Sequence, residues 1–366
     1  MARPLEVCIC GGGHLAHALT AVIGANRDVA VRVLTRRPEL WDAQVEAVYD
    51  NLVVIGRPRL VTSSPAAAAA DCDLVLVAVP AFAHCAVLGA IAPFISPRTW
   101  VGALPAPGFF DWAAASILPA GTPIFGAQRS PYNCRIKVPG RQVEILGIVP
   151  RLPVAALPNR RFGDLAALIA ATMAFPVEML DNFLCVTLGP SSTIFHPARL
   201  FSFFDGRDDS AHVEDTPLFY QDWDDAASRV YLACDRELQS VCEALPIKMS
   251  GVVPACAHYG VSSPSALTAR IRNLPGLRGI PLPMQRTRNG YAPDWHSRFF
   301  TEDFPFGLRA VRLVAALAKV ETPLLDTIDA WSQHPPITAA TARVEPDCGA
   351  RLQGCSLADI VRRATS

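Results

Sequence analysis

Two groups of residues in this 366-residue chain have the types and spacing to do chemistry. The first is "CICGGGHLAHALTAVIG" (8–24), where Gly11, Gly13 and Ala16 reproduce the spacing G-x-G-x-x-A. Between a strand and a helix, the first glycine of such a turn permits a sharp bend and the second lets backbone N–H groups approach a pyrophosphate. A small third residue lets the helix pack on the strand. His14 and Leu15 belong to the same turn. Further on, the apolar run 28–34 ends in Thr35, Arg36 and Arg37 instead of a carboxylate. A carboxylate there would hold ribose hydroxyls and repel a 2′-phosphate, whereas a hydroxyl and guanidinium groups hydrogen-bond and neutralise it. These residues predict a dinucleotide site that takes NADP(H). The plainer alternatives are a glycine-rich turn without a ligand and a solvated basic cap.

The second group lies in the other half of the chain. His196 stands directly before Pro197, which biases it away from helical geometry and marks an element boundary. A histidine passes protons near neutral pH, as reduction of a carbonyl or imine requires, but a lone histidine also serves as a structural residue. Glu302 and Asp303 precede Pro305, the ordinary chemistry of a helix start. Arg298, four residues before Glu302, can pair with it along a helix. Arg199 can meet a carboxylate or cap its helix, and Cys134 and Arg135 read alone as a core thiol and a surface arginine.

The elements that must position these residues follow from periodicity. "PLEVCIC" (4–10), a helix over 14–24 closed by Gly24, and "DVAVRVLTRR" (28–37) form a βαβ unit of the expected ~30 residues. Residues 58–95 continue as strand, short helix, strand and helix. Val79, Pro80 and Ala81 then leave the carboxyl end of a parallel strand, where open α/β sheets bind ligands. Segments 99–112 and 122–136 read as further strands and loops, 141–158 as edge strands broken by proline, and 161–173 as a closing helix. From Asp181 the period lengthens to that of helices, over 181–195, 222–245, 263–274 and 305–320, with 276–295 as a long loop. The predicted fold is an α/β N-terminal Rossmann-type doubly wound sheet (1–181), an all-α C-terminal domain (182–335) and a partly ordered tail (336–366).

Composition narrows the partners. Thirty-three basic residues balance 33 acidic ones, so no net field attracts nucleic acid or an acidic membrane surface, and a small-molecule ligand fits better. Only Lys137, Lys248 and Lys319 are lysines, which leaves few candidates for a lysine acid or base. The eleven cysteines form no metal-binding spacing and read as reduced core thiols, so no metal is expected. No signal-type segment or membrane-length apolar run is found, and the expected location is the cytoplasm.

With these segments placed, the chain resembles the octopine/nopaline (opine) dehydrogenase family. The resemblance rests on "VPAFAH" (79–84), "VGALPAPG" (101–108), "SPYNCR" (130–135), "PGRQVEILG" (139–147), "IFHPARL" (194–200) and "RFFTEDFPFGL" (298–308), in this order. It implies a Rossmann domain joined to a helical domain, with substrates in the cleft between them and a hinge near Asp181. The implied reaction condenses the amine of an amino acid with a 2-oxo acid and reduces the imine with a nicotinamide dinucleotide. His196 becomes the catalytic histidine, Asp303 the carboxylate that pairs with it, and Arg298 a fork for a substrate carboxylate. Cys134 and Arg135 would border the substrate pocket, with Arg135 or Arg199 holding the second carboxylate. A homodimer is compatible with this reading. Two competitors are an NADP-dependent reductase that turns a simple 2-oxo or 3-oxo acid into a hydroxy acid, and a non-catalytic NADPH-sensing protein.

Overall fold

The computed structural model describes residues 3–189, 191–206, 214–288, 290–333 and 352–366. They divide into two compact units, one of residues 1–186 with 361–366 and one of residues 187–360.

In the first unit the strands are β1 (Leu5–Cys10), β2 (Val29–Leu34), β3 (Val45–Tyr49), β4 (Leu52–Gly56), β5 (Leu60–Thr62) and β6 (Leu74–Val77). There follow β7 (Trp100–Ala103), β8 (Ile124–Ala127), β9 (Tyr132–Val138), β10 (Gln142–Ile148), β11 (Leu152–Leu157) and β12 (Val177–Met179). Six of them pair in parallel in the order β5-β2-β1-β6-β7-β8, and β11 and β12 extend that sheet beyond β8. Numbered by their place in this sheet alone, the six run 3-2-1-4-5-6, the doubly wound dinucleotide order. Both faces are covered, as a parallel sheet requires: Val7, Cys8, Ile9 and all four residues of β6 are wholly buried. The chain reverses direction across the sheet between β1 and β6, which places the ends of these two strands at the topological switch point.

Several segments depart from expectation. The stretch 141–158 is not a pair of edge strands. Its first part, β10, joins a separate four-stranded sheet of order β4-β3-β10-β9, while β11 lies inside the main sheet between β8 and β12. Pro153 is accommodated because its carbonyl still accepts from the Gln128 N–H at 3.0 Å. Residues 45–56 form a hairpin, β3 and β4, around Asp50 and Asn51, a turn signal flanked by apolar runs.

The second unit is mainly helical, with helices Asp225–Ala244, Pro264–Arg272, Arg309–Ala318 and Pro323–Ser332. Ser263 and Asp224 cap the first two of their helices through their side chains, to Ala266 and Ala227. The segment 276–295 is not simply a loop. It holds a two-stranded antiparallel hairpin, β13 (Met284–Thr287) and β14 (Gly290–Pro293), because its prolines and glycines gather at the strand ends. Segment 181–195 is interrupted as well: a short helix, Leu184–Thr187, precedes a π-helical turn, Ser191–Phe195.

Residues 336–351 of the expected tail, and 334–335 at the end of the expected helical domain, lie outside the described residues. Leu357–Thr365 form an amphipathic helix whose last turn belongs to the first unit. There Arg363 Nη2 donates to the Asp111 carbonyl at 3.0 Å, and the Ala364 carbonyl accepts from the Phe183 N–H at 3.0 Å.

Candidate active site

Backbone geometry builds the nucleotide turn. At the end of β1 the Gly11 N–H donates to the Leu34 carbonyl at 2.9 Å, and at the end of β6 the Ala78 N–H donates to the Cys10 carbonyl at 2.8 Å. Gly11 has φ +144°, and a Cβ there would lie 2.5 Å from the Ala78 carbonyl oxygen and 3.3 Å from Val79 Cγ1. A side chain at this position would force the two strand ends apart. Gly13 differs: it caps the ten-residue helix His14–Ile23 without a side-chain bond, and a Cβ there would meet nothing within 4 Å. That open space above a helix start whose N-cap makes no side-chain bond has the polarity that suits a pyrophosphate. Ala16 is buried in the core, Leu15 half-buried beside it, and Pro80 caps the turn after β6. The residues present therefore fit a dinucleotide.

Thr35 stands against this turn. Its N–H donates to the Thr62 carbonyl at 2.9 Å, and its Oγ1 lies 2.6 Å from where a Gly12 Cβ would be. Arg36 and Arg37 next to it are exposed. His14, the first helical residue, accepts the Ile136 N–H on Nδ1 at 3.0 Å. His17 escaped the sequence reading although it lies one turn further along the same helix. Its Nδ1 bonds the Gly13 carbonyl at 2.9 Å, its Nε2 accepts the Gly140 N–H at 2.8 Å, and its ring lies tilted against Trp41, the centroids 4.1 Å apart. Burial lowers its pKa below the usual histidine value of 6.5. A neutral ring serves both bonds: Nδ1–H donates and the Nε2 lone pair accepts. His17 thus ties the glycine turn to the β9–β10 hairpin.

The second unit brings together residues 107 apart in sequence. The π-helical turn Ser191–Phe195 runs straight into the helix His196–Phe204, so His196 is a first helical residue and not an extended one. Pro197 has no N–H to return to the preceding turn, and the backbone widens into π geometry instead of breaking. A second π-helical segment, Asp303–Leu308, contains Pro305. From these two distorted turns His196 Nδ1 meets Asp303 Oδ2 at 2.8 Å. Both side chains are largely buried, with relative exposures of 20% and 11%. The rings of Phe219 and Phe299 face the imidazole edge-on at 5.3 and 5.0 Å. Tyr220, also missed by the sequence reading, places its hydroxyl 3.0 Å from His196 Nε2. It precedes an aspartate-rich helix start and carries no motif of its own. Such an arrangement holds an imidazole in one orientation and fixes its tautomer through a carboxylate.

Other expected site residues have different surroundings. Arg298 turns its fork to Glu302, with Nε at 2.7 Å and Nη2 at 2.5 Å from Oε2, the i,i+4 pairing its spacing allows; its side chain is 61% exposed. Arg199 neither caps its helix nor lies on a surface. It is 1% exposed, donates from Nη2 to the Asp222 carbonyl at 2.8 Å, and stacks over Phe203 and Trp223 at 5.4 and 5.7 Å. Cys134 is buried in β9, and desolvation pushes its thiol up to about 12. Arg135 donates from Nη1 to Asn133 Oδ1 at 3.2 Å and to the Cys134 carbonyl at 2.8 Å. Among the described residues no metal-binding cluster of His, Cys, Asp or Glu occurs, and no helix is long and apolar enough to cross a membrane.

A 3-2-1-4-5-6 sheet with an open glycine turn, followed by a helical unit carrying a histidine–carboxylate pair, defines a two-domain dehydrogenase that works on a nicotinamide dinucleotide. Residues 179–335 match the alpha-helical domain of NAD/NADP octopine/nopaline dehydrogenases. The chain is 30% identical over 361 residues to the octopine dehydrogenase of Pecten maximus, covering 90% of each. It superposes on octopine dehydrogenase solved with NADH and L-arginine at a TM-score of 0.81, with 27% identity and 97% of each chain covered. The same enzyme solved with NADH and pyruvate gives 0.81, 28% and 98%. The chain belongs to the octopine/nopaline dehydrogenase family, and so to the NAD(P)-dependent oxidoreductases acting on CH–NH donors.

Proposed function

We propose that the chain is an NADPH-dependent opine dehydrogenase in which His196, held by Asp303, moves the protons of an amino acid–2-oxo acid condensation. The observation that carries this is the 2.8 Å contact between His196 Nδ1 and Asp303 Oδ2, in a chain of this family. The dinucleotide, when bound, supplies the hydride that reduces the imine carbon. Gly11, Gly13, His14, Leu15 and Ala16 would hold its pyrophosphate, with Val79 and Pro80 at the neighbouring strand end. Thr35, Arg36 and Arg37 support the phosphorylated form, because two exposed guanidinium groups and a hydroxyl replace the carboxylate that would repel a 2′-phosphate.

The residues of the helical unit carry the proton chemistry. Asp303 accepts from Nδ1–H, which leaves Nε2 as the nitrogen that gives or takes a proton. As the amine adds to the oxo carbon, the imidazolium gives a proton to the carbonyl oxygen; the neutral ring then takes a proton from the ammonium nitrogen of the adduct and gives it to the same oxygen, which leaves as water. The two substrate carboxylates need cationic partners. Arg298 is the first candidate, since its exposed guanidinium can exchange Glu302 for a substrate. Arg135 is the second, and Cys134 lines the same strand. Arg199 keeps a supporting place in the helix of His196, because its guanidinium is buried.

The test is a screen of amino acids against pyruvate, glyoxylate and 2-oxoglutarate, following loss of nicotinamide absorbance. The expected result is oxidation of NADPH only when an amine and an oxo acid are both present, with NADH slower. Oxidation by the oxo acid alone would make the protein a simple oxo-acid reductase. Binding of NADPH without turnover on any pair would leave a nucleotide sensor.

A further inference from the structure

The Nε2 atom of His196, the nitrogen free of Asp303, does not face open solvent. The hydroxyl of Tyr220 lies 3.0 Å from it. With Nδ1–H committed to Asp303, the neutral ring accepts the phenol O–H at Nε2, and the imidazolium donates from Nε2 to the phenol oxygen. A hydroxyl is both donor and acceptor, so this one contact serves both protonation states of the ring.

Tyr220 is also held. Its side chain is largely buried, the residue being 6% exposed, and its ring stacks on Phe195 at 6.0 Å and leans on Phe219 at 4.8 Å. Phe219 is in turn stacked on Phe299 at 4.7 Å. The backbone is tied on both sides: the Phe219 N–H donates to the Ile280 carbonyl at 2.7 Å, and the Tyr220 carbonyl accepts from the Trp223 N–H at 3.2 Å. Moving the phenol away from Nε2 would disturb an aromatic cluster and break this hydrogen bond. Passing the proton through the hydroxyl needs no movement of either ring.

We propose that Tyr220 is a catalytic residue, the relay through which His196 exchanges its proton with the substrate. The inference rests on the acid–base reading of His196 given above. As the amine lone pair forms the C–N bond, the C=O π pair moves onto the oxygen, which takes the proton of the Tyr220 hydroxyl. The phenol oxygen takes the Nε2 proton of the imidazolium in the same event. The imidazole is left neutral with Nδ1–H on Asp303, and the phenol is unchanged. No oxidant or further reactant is involved.

Tyr220→Phe keeps the ring and removes the relay. Its kcat should fall at least about 30-fold, while KM for the amino acid, the oxo acid and NADPH stays within about threefold. The dependence of kcat on the D2O fraction should be bowed for the native protein, two protons moving together, and straight for Tyr220→Phe. The cofactor-free protein offers a readout without turnover. In ¹⁵N-histidine spectra, Nε2 of His196 should show the shift of a hydrogen-bonded acceptor, and move several ppm toward the free value in Tyr220→Phe. A kcat within threefold of native, a rise in KM for the oxo acid at unchanged kcat, or a straight D2O dependence in the native protein would each overturn the relay. His196→Ala run alongside separates the two levels of inference. If it keeps full activity, the acid–base reading itself is wrong. If it is inactive while Tyr220→Phe is silent, only the relay is wrong.

Discussion

The glycine turn of the first unit and the His196 pocket of the second are built on opposite principles. The turn is made of backbone, contiguous in sequence, and works by what is missing: no side chain at Gly11, where the Ala78 carbonyl is 2.5 Å from a would-be Cβ, and none at Gly13, where the space is open. The pocket is made of side chains from Phe195 to Asp303, brought together by two π-helical turns and a cluster of aromatic rings. A backbone site is fixed once its strand and helix form. A side-chain site depends on the packing of a whole domain, and its groups can be exchanged one at a time. Substitutions in the turn should therefore act on cofactor affinity, and those in the pocket on turnover.

His196→Ala gives the largest effect, a loss of kcat of about 10²–10⁴-fold, the range for a general acid–base. Its NADPH affinity, followed by fluorescence titration, should stay within about twofold. Weakened NADPH binding of the same order as the loss of kcat would erase the contrast between the two regions. Replacing both Arg36 and Arg37 by Ala should do the opposite, weakening NADPH about 10- to 100-fold from the loss of charged hydrogen bonds, with NADH changed less than twofold. Equal weakening of both cofactors would return these arginines to the role of a solvated cap. Gly13→Val, at a position where the fold has room, should weaken both cofactors about tenfold and leave the melting temperature nearly unchanged. A large drop in melting temperature would mean that the turn serves the fold and not the ligand.

Two smaller effects concern stability and pH within the first unit. Burial raises the Asp111 carboxyl to about 6, despite nearby Arg363. Its folded value lies above the unfolded value of 3.8, so the stabilising protonated state is lost as pH rises through about 6. Asp111→Asn should then stabilise the protein by roughly 1–3 kcal/mol at pH 8, and by less at pH 5, in denaturant titrations. An equal gain at both pH values would show that charge is not the cause. His17 has the reverse sign. Its pKa is lowered by burial, so stability is full above 6.5 and is lost as pH falls from there toward the depressed folded value, the unfolded chain taking the proton first. His17→Gln should flatten that dependence, and an unchanged slope in pH-dependent unfolding would point to other groups.

The same contrast decides what was readable in the sequence. Gly11, Gly13 and Ala16 lie within six residues, and strand-glycine-helix order follows from local periodicity, so the nucleotide turn was plain and the parallel sheet with it. His196 and Asp303 were paired through family strings alone, since no spacing rule joins residues 107 apart. Tyr220 was invisible for the same reason. Arg298 and Arg199 show the limit from another side: an arginine's sequence neighbours propose Glu302 as partner, and here correctly, but they say nothing of the Asp222 carbonyl and the aromatic rings that bury Arg199. The 284–293 hairpin was missed because its strands are short and the proline and glycine around them read as loop, whereas the β3–β4 hairpin did carry a turn signal, Asp50–Asn51 between short apolar runs.

The most direct test of the central claim, that a carboxylate-backed imidazole moves the protons of this reaction, is chemical rescue of His196→Gly. The substituted protein should bind NADPH normally and turn over slowly, and imidazole in the buffer should restore a substantial part of kcat in a saturable manner. Native-like turnover without imidazole, or a folded, NADPH-binding protein whose slow turnover no imidazole concentration improves, would contradict it.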